Sequence, residues 1–119
     1  MLMRDFRQLI VWQKSHGFTL SVYRATESFP QRELYGLTSQ LRRSAASVSA
    51  NIAEGCGRGS DAELGRFLTI AAGSASESEY HLILALDLGY LPEVEFGPLS
   101  KCIEEVKRML TAFIQKTRQ

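Results

Sequence analysis

From Leu64 to Ala85 the chain sets apolar or small residues at Leu64, Leu68, Ala71, Ala75, Ser78, Leu82 and Ala85. The steps run 4-3-4-3-4-3, which holds one stripe on one side of an α-helix. It is the seam by which helices pack side by side, nearly antiparallel. No segment alternates apolar and polar residues for long, so the helical period is the one to follow.

Three further segments carry that period. In the first, Val11, Ser15, Phe18, Val22, Ala25 and Phe29 form one stripe. Leu9, Trp12, His16, Leu20 and Tyr23 form a second, turned roughly 120° from it on a helix of 3.6 residues per turn. Together they make more apolar surface than one seam of a small bundle needs. In the next, Leu34, Leu37, Leu41, Ala45, Val48 and Ile52 step by three and four, and "SAASVSANIA" is almost all small side chains. Such a surface invites close approach by another helix, and Asn51 within it needs hydrogen-bond partners. The last stripe is Leu99, Ile103, Val106, Leu110 and Phe113. The spacing predicts helices at about 8–28, 33–54, 61–88 and 93–116. Gly89 is expected as a left-handed cap with Pro92 just beyond. Gly97-Pro98 makes Pro98 a second candidate start for the fourth helix. Short connections place successive helices beside one another, giving an all-α, antiparallel up-down four-helix bundle in one domain.

The run "NIAEGCGRGS" (Asn51–Ser60) resembles a phosphate-cradling loop only in its glycines. Such loops need a strand before them, and no Gly-Lys-Ser/Thr follows. A helix stop and restart is the better reading. Gly55 or Gly57 is expected to take the left-handed conformation, and Ser60 to cap the next helix with Glu63 in a capping box.

The 119 residues are 45% hydrophobic and 23% charged, with a formal net charge of +1, which gives no global drive toward nucleic acid or anionic membrane. The charge is uneven. Residues 1–59 hold eight Lys/Arg against four Asp/Glu, whereas residues 60–91 hold one against five. No apolar run is long enough to span a bilayer, and Arg4, Asp5, Arg7 and Lys14 interrupt the N-terminus, so a cytoplasmic protein without a membrane partner is expected. Cys56 and Cys102 match no metal spacing and read as reduced thiols, Cys56 in a loop near Arg58. Glu77 and His81 share a helix face, but a single Glu-x-x-x-His is not a di-iron pattern, and no metal site is expected. Mid-helix serines read as packing residues. With no nucleophile–base pair and no cofactor motif, we expect neither catalytic residues nor a cofactor, and hence not an enzyme. Lys14, Arg42, Arg43, Arg58 and Arg66 are the candidate nucleic-acid-binding residues. Arg42 and Arg43, being adjacent, point some 100° apart on a helix.

Four stretches carry a resemblance: "FRQLIVWQKSH" (6–16), "YGLTSQLRRSAASVSANIAEGCGR" (35–58), "ELGRFLTIAAGSASESE" (63–79) and "LALDLGYL" (84–91). Together they resemble the bacterial four-helix-bundle family of 23S rRNA intervening-sequence proteins, related to the accessory variability determinant proteins of diversity-generating retroelements. Ser49 stands where that family usually has proline, and Cys56 where it usually has an aromatic. The resemblance implies a homopentameric ring, with RNA, DNA or a nucleic-acid enzyme as partner and no catalysis of its own. The five basic positions are the ones it carries over. A protein-only adaptor is the alternative role.

Overall fold

A computed structural model describes residues 5–119. Its elements are α1 (Ile10–Ala25), α2 (Leu37–Cys56), α3 (Asp61–Asp87) and α4 (Glu93–Thr117), with 3-10 turns at Phe6–Gln8, Thr26–Ser28 and Gln31–Glu33. Among the described residues there is no strand. The protein is an all-α four-helix bundle measuring 46 × 23 × 20 Å.

The seams read from the sequence are what the core contains. Leu64, Leu68, Ala71, Ala75, Ser78, Leu82 and Ala85 are all buried on α3, and Leu99, Ile103, Val106 and Leu110 on α4. They meet Leu41, Ala45, Val48 and Ile52 of α2 and Val11, Phe18 and Val22 of α1 in one apolar cluster. Each fully buried Leu, Ile or Phe contributes about 1.5–3 kcal/mol relative to exposure. α1 packs on α2 and α4, and α3 packs on the same two helices, so α1 and α3 stand at opposite corners.

Helix bounds depart from expectation where capping groups intervene. Leu9 is extended (φ −81°, ψ 128°), so α1 begins at Ile10 instead of residue 8. At its other end the Thr26 hydroxyl donates to the Val22 carbonyl at 2.8 Å, and the chain tightens into a 3-10 turn short of residue 28. Gly36 (φ −110°, ψ −115°) interrupts the second segment, which restarts at Leu37 and not near 33. There the Glu33 carboxylate accepts from the Leu37 amide at 3.1 Å and from the Tyr90 hydroxyl at 3.0 Å, tying the α1–α2 connection to the α3–α4 connection.

The glycine run corrects two expectations. Neither Gly55 nor Gly57 is left-handed: Gly57 has φ −83°, and α2 continues through Gly55 to Cys56. Cys56 is therefore a buried helical residue, not a loop thiol. Gly55 serves close approach instead. A Cβ there would lie 3.0 Å from Phe67 Cβ and 3.1 Å from Leu64 Cδ1 on α3. Ser60 does cap α3, accepting from the Glu63 amide at 3.2 Å, while the Glu63 carboxylate turns to Arg66 and leaves the box half made. Gly89, at φ 78°, takes the expected left-handed cap.

Pro98 does not start α4; it lies inside it. The amide it lacks would have bonded Val94, whose residue is 80% exposed, so water can solvate the orphaned carbonyl. Burial of the Leu99–Leu110 stripe keeps the helix continuous across Pro98.

The small residues of α2 interlock by hydroxyls. Ser44 pairs with Ser78 and Ser47 with Ser74, each at 2.9 Å across α2–α3; Ser15 pairs with Ser49 at 3.0 Å across α1–α2. The Thr19 hydroxyl lies 3.1 Å from the Ala45 carbonyl, and Asn51 Nδ2 donates to the Ser47 carbonyl at 2.8 Å.

Two outcomes are expected in denaturant melts. Gly55→Leu overpacks the α2–α3 contact and lowers stability by about 1–3 kcal/mol. Ser44→Ala and Ser78→Ala each cost about 1 kcal/mol, and the double variant loses less than their sum, because both singles remove the same Ser44–Ser78 bond while the remaining hydroxyl keeps the Leu41 or Ser74 carbonyl of its own helix.

Candidate nucleic-acid interface

The five basic residues come from three helices and do not converge on one spot. Lys14 on α1 reaches across to Glu105 on α4 at 3.0 Å. Arg42 and Arg43 diverge to opposite flanks of α2, as their adjacency requires. Arg42 donates from Nε to the Thr26 hydroxyl at 2.8 Å and from Nη2 to the Tyr23 carbonyl at 3.3 Å, with its guanidinium 4.7 Å from the Tyr23 ring centre. Arg43 turns the other way and pairs with Glu77 on α3.

Arg58 and Arg66 are the two the fold brings together. Both guanidiniums lie against Phe67, at 4.7 and 4.5 Å from the ring centre. Each also has its own carboxylate, Glu54 at 3.2 Å and Glu63 at 2.9 Å. These two pairs are exposed and contribute little to stability. Arg42 lies fourteen residues before the end of α2 at Cys56, about 21 Å of helical rise, and Arg58 lies in the turn beyond. Only Arg42 among the five is held by neutral groups alone. No sequence signal beyond Phe67 beside Arg66 could have found the shared ring, since Arg58 reaches it through the turn between helices.

Glu77 is a junction. Arg43 and His81 both address its Oε2, His81 through Nε2 at 3.1 Å. With the proton on Nε2, His81 donates to the carboxylate and its buried Nδ1 finds no hydrogen-bond partner. The carboxylate that a metal would share with His81 is thus committed to an arginine. Among the described residues no group of three or more His, Cys, Asp or Glu is placed to hold a metal.

Cys102 lies between α4 and α1, its Sγ 3.9 Å from the Lys14 carbonyl. Burial pushes its thiol pKa up, with the Lys14 ammonium opposing and Glu105 adding to the rise. That is the wrong direction for a reactive thiolate. Two open clefts flank α1. One of about 640 Å³ lies between Leu9–Val11 and Met109, Phe113 and Thr117 of α4, and one of about 540 Å³ lies beside Gly17, Val94 and Pro98. The first is also lined by Asp61 and Lys116, the second by Lys14, Ser21, Glu95 and Cys102.

The profile of the family described as 23S rRNA-intervening sequence protein matches residues 7–112, nearly the whole bundle. The chain belongs to this family. A solved relative within the same fold is a protein with unknown function from the S23 ribosomal protein family of Bacteroides thetaiotaomicron VPI-5482. It is 26% identical, covers 88% of this chain and 98% of its own, and superposes with a TM-score of 0.80. No curated protein matches the chain. For this member of the 23S rRNA-intervening sequence family, membership fixes the bundle and gives no reaction. Among the described residues no helix is long and apolar enough to cross a membrane.

Glu63 supplies a pH-dependent readout. Its hydrogen bond with Arg66 holds its carboxyl below the usual carboxylate range, despite some desolvation that works the other way. A depressed folded-state pKa contributes stability above the unfolded pKa that is lost as pH falls through the folded one. In an NMR titration the Glu63 carboxyl should therefore titrate below an ordinary glutamate, and Arg66→Gln should move that midpoint upward.

Proposed function

We propose that this member of the family is a non-enzymatic, self-assembling scaffold of the cytoplasm, built as an antiparallel up-down bundle that closes into a ring of five and binds nucleic acid or a nucleic-acid enzyme. The observation that carries it is the second stripe of α1. Leu20 and Tyr23 are 42% and 44% exposed, and the Trp12 ring is only half-buried, with Phe6 at 5.0 Å and His16 stacked on it at 4.9 Å. Leu9 and Trp12 pack partly against the core, whereas Leu20 and Tyr23 leave apolar surface in water that a second copy would cover. The antiparallel reading is supported by partner numbers that fall on one helix as they rise on the next. Ser15 meets Ser49 and Arg42 meets Thr26; Ser44 meets Ser78 and Ser47 meets Ser74.

For nucleic acid, Arg42 is the residue with most charge to offer, and Arg58 with Arg66 forms a second point. Repetition around a ring multiplies contacts that are weak in one copy. In gel shifts with structured RNA and DNA, binding should weaken steeply between low and physiological salt. Arg42→Glu with Arg58→Glu should abolish it while the helical signal stays. No retarded species at low salt discards nucleic acid as partner.

A protein-only adaptor is the second reading, and the pairing of Lys14, Arg43, Arg58 and Arg66 with carboxylates favours it. Under it, a partner captured from lysate survives nuclease treatment.

A further inference from the structure

A ring of more than two copies cannot be built from one patch meeting itself; it needs two different surfaces that fit each other. The bundle offers two on opposite sides. Because α1 and α3 occupy opposite corners, the α1–α2 side lies across the molecule from the α3–α4 side. On the first, Leu20 and Tyr23 are exposed beside Arg24 and Arg42. On the second, Tyr80 and Ile83 are 58% and 47% exposed, and Asp87 follows on the same face of α3 at the i, i+3, i+7 spacing. Glu93 opens α4 just beyond.

The charges on these sides stand outside the ion pairs, as do Arg32, Lys101 and Arg108 elsewhere; Arg42 is held by neutral groups alone. Farther along α4, Lys107 and Arg108 line a cleft with Glu79 and Glu104, so the acidic character of the α3–α4 side belongs to its Asp87–Glu93 end. The ion pairs of the described residues engage Arg7, Lys14, Arg43, Arg58, Arg66 and Lys107, and neither Arg24 nor Arg42 is among them. The carboxylates of those pairs likewise leave out Asp87 and Glu93. Both sets lie toward the end of the bundle where the α1–α2 and α3–α4 connections meet through Glu33 and Tyr90. Two carboxylates near the basic set have no cation paired to them: Glu27, in the turn after α1, and Glu33, which accepts from the Leu37 amide and the Tyr90 hydroxyl.

We infer that the occupant of each side is a second copy of this chain: the apolar, basic α1–α2 side of one protomer seats on the apolar, acidic α3–α4 side of the next. The inference rests on the self-assembly proposed above and assigns the surfaces that make it. Apolar contact at the centre supplies affinity, and opposite charge beside it fixes which side meets which.

The test is the solution mass of the full chain by light scattering, with circular dichroism as the folding control. The wild type should run as a multiple of the 13.3 kDa protomer. Arg24→Glu/Arg42→Glu and, separately, Asp87→Lys/Glu93→Lys should each fall to protomer mass. The chain carrying all four changes, with both signs exchanged, should recover the wild-type mass. Leu20→Glu and Ile83→Glu, which alter no cap or ion pair, should also lose it. A wild-type assembly whose mass none of these variants changes overturns the assigned sides and leaves self-assembly standing. Loss of mass without recovery in the exchanged chain overturns the pairing of the two sides. A wild type at protomer mass throughout overturns self-assembly itself.

Discussion

The closeness of α2 to α3 is the constraint on which the remaining arrangement depends. Two helices in ordinary apolar contact are held apart by Leu and Phe side chains. Here Ser44, Ser47, Ser74 and Ser78 replace bulk with hydroxyls that bond to one another, and Gly55 has no side chain where Leu64 and Phe67 arrive. An apolar heptad seam alone tolerates sliding by a whole repeat, because every rung resembles the next. Paired hydroxyls favour one register, since sliding breaks the bonds between helices and leaves Ser44 and Ser78 only those to the Leu41 and Ser74 carbonyls of their own helices. The seam brings the helices together and the serines choose the register.

That register decides where the charges land. Arg43 meets Glu77 because Ser44 meets Ser78 one residue on. Arg58 leans on Phe67 because Gly55 admits the first turns of α3. Among the described residues, Arg43 with Glu77 is the ion pair that joins the basic half to the acidic stretch. Among the charges the fold leaves outside ion pairs are Arg24 and Arg42 on one side and Asp87 and Glu93 on the other. Any role in binding RNA, DNA or protein has to be assembled from such remainders or from displacing a carboxylate.

The sequence spoke clearly where periodicity was the whole signal. The stripes on α3 and α4 are the buried faces, and the left-handed Gly89 stands where the punctuation placed it. It spoke less clearly where one residue type serves two ends. Gly55 read as a terminator because glycine usually ends helices, yet it is needed for its missing Cβ. Pro98 read as a candidate helix start because its cost inside a helix is real, yet buried neighbours on one side and solvent on the other offset it. The mid-helix serines were legible as packing residues, but their pairing was not, since it depends on a partner helix some thirty residues away. Of the basic positions, the divergence of Arg42 and Arg43 followed from their adjacency. Their partners required the fold.

The proline inside α4 has a mechanical corollary. A helix is a ladder whose rungs share load, and the rung between residues 94 and 98 is missing. The rungs on either side of it stand, and α4 runs unbroken from Glu93 to Thr117. A single absent rung still makes bending easier at that point than elsewhere along an intact ladder. The turn so hinged carries Glu93 and Glu95, so a load on the charged edge at that end is taken up there before it reaches the interior.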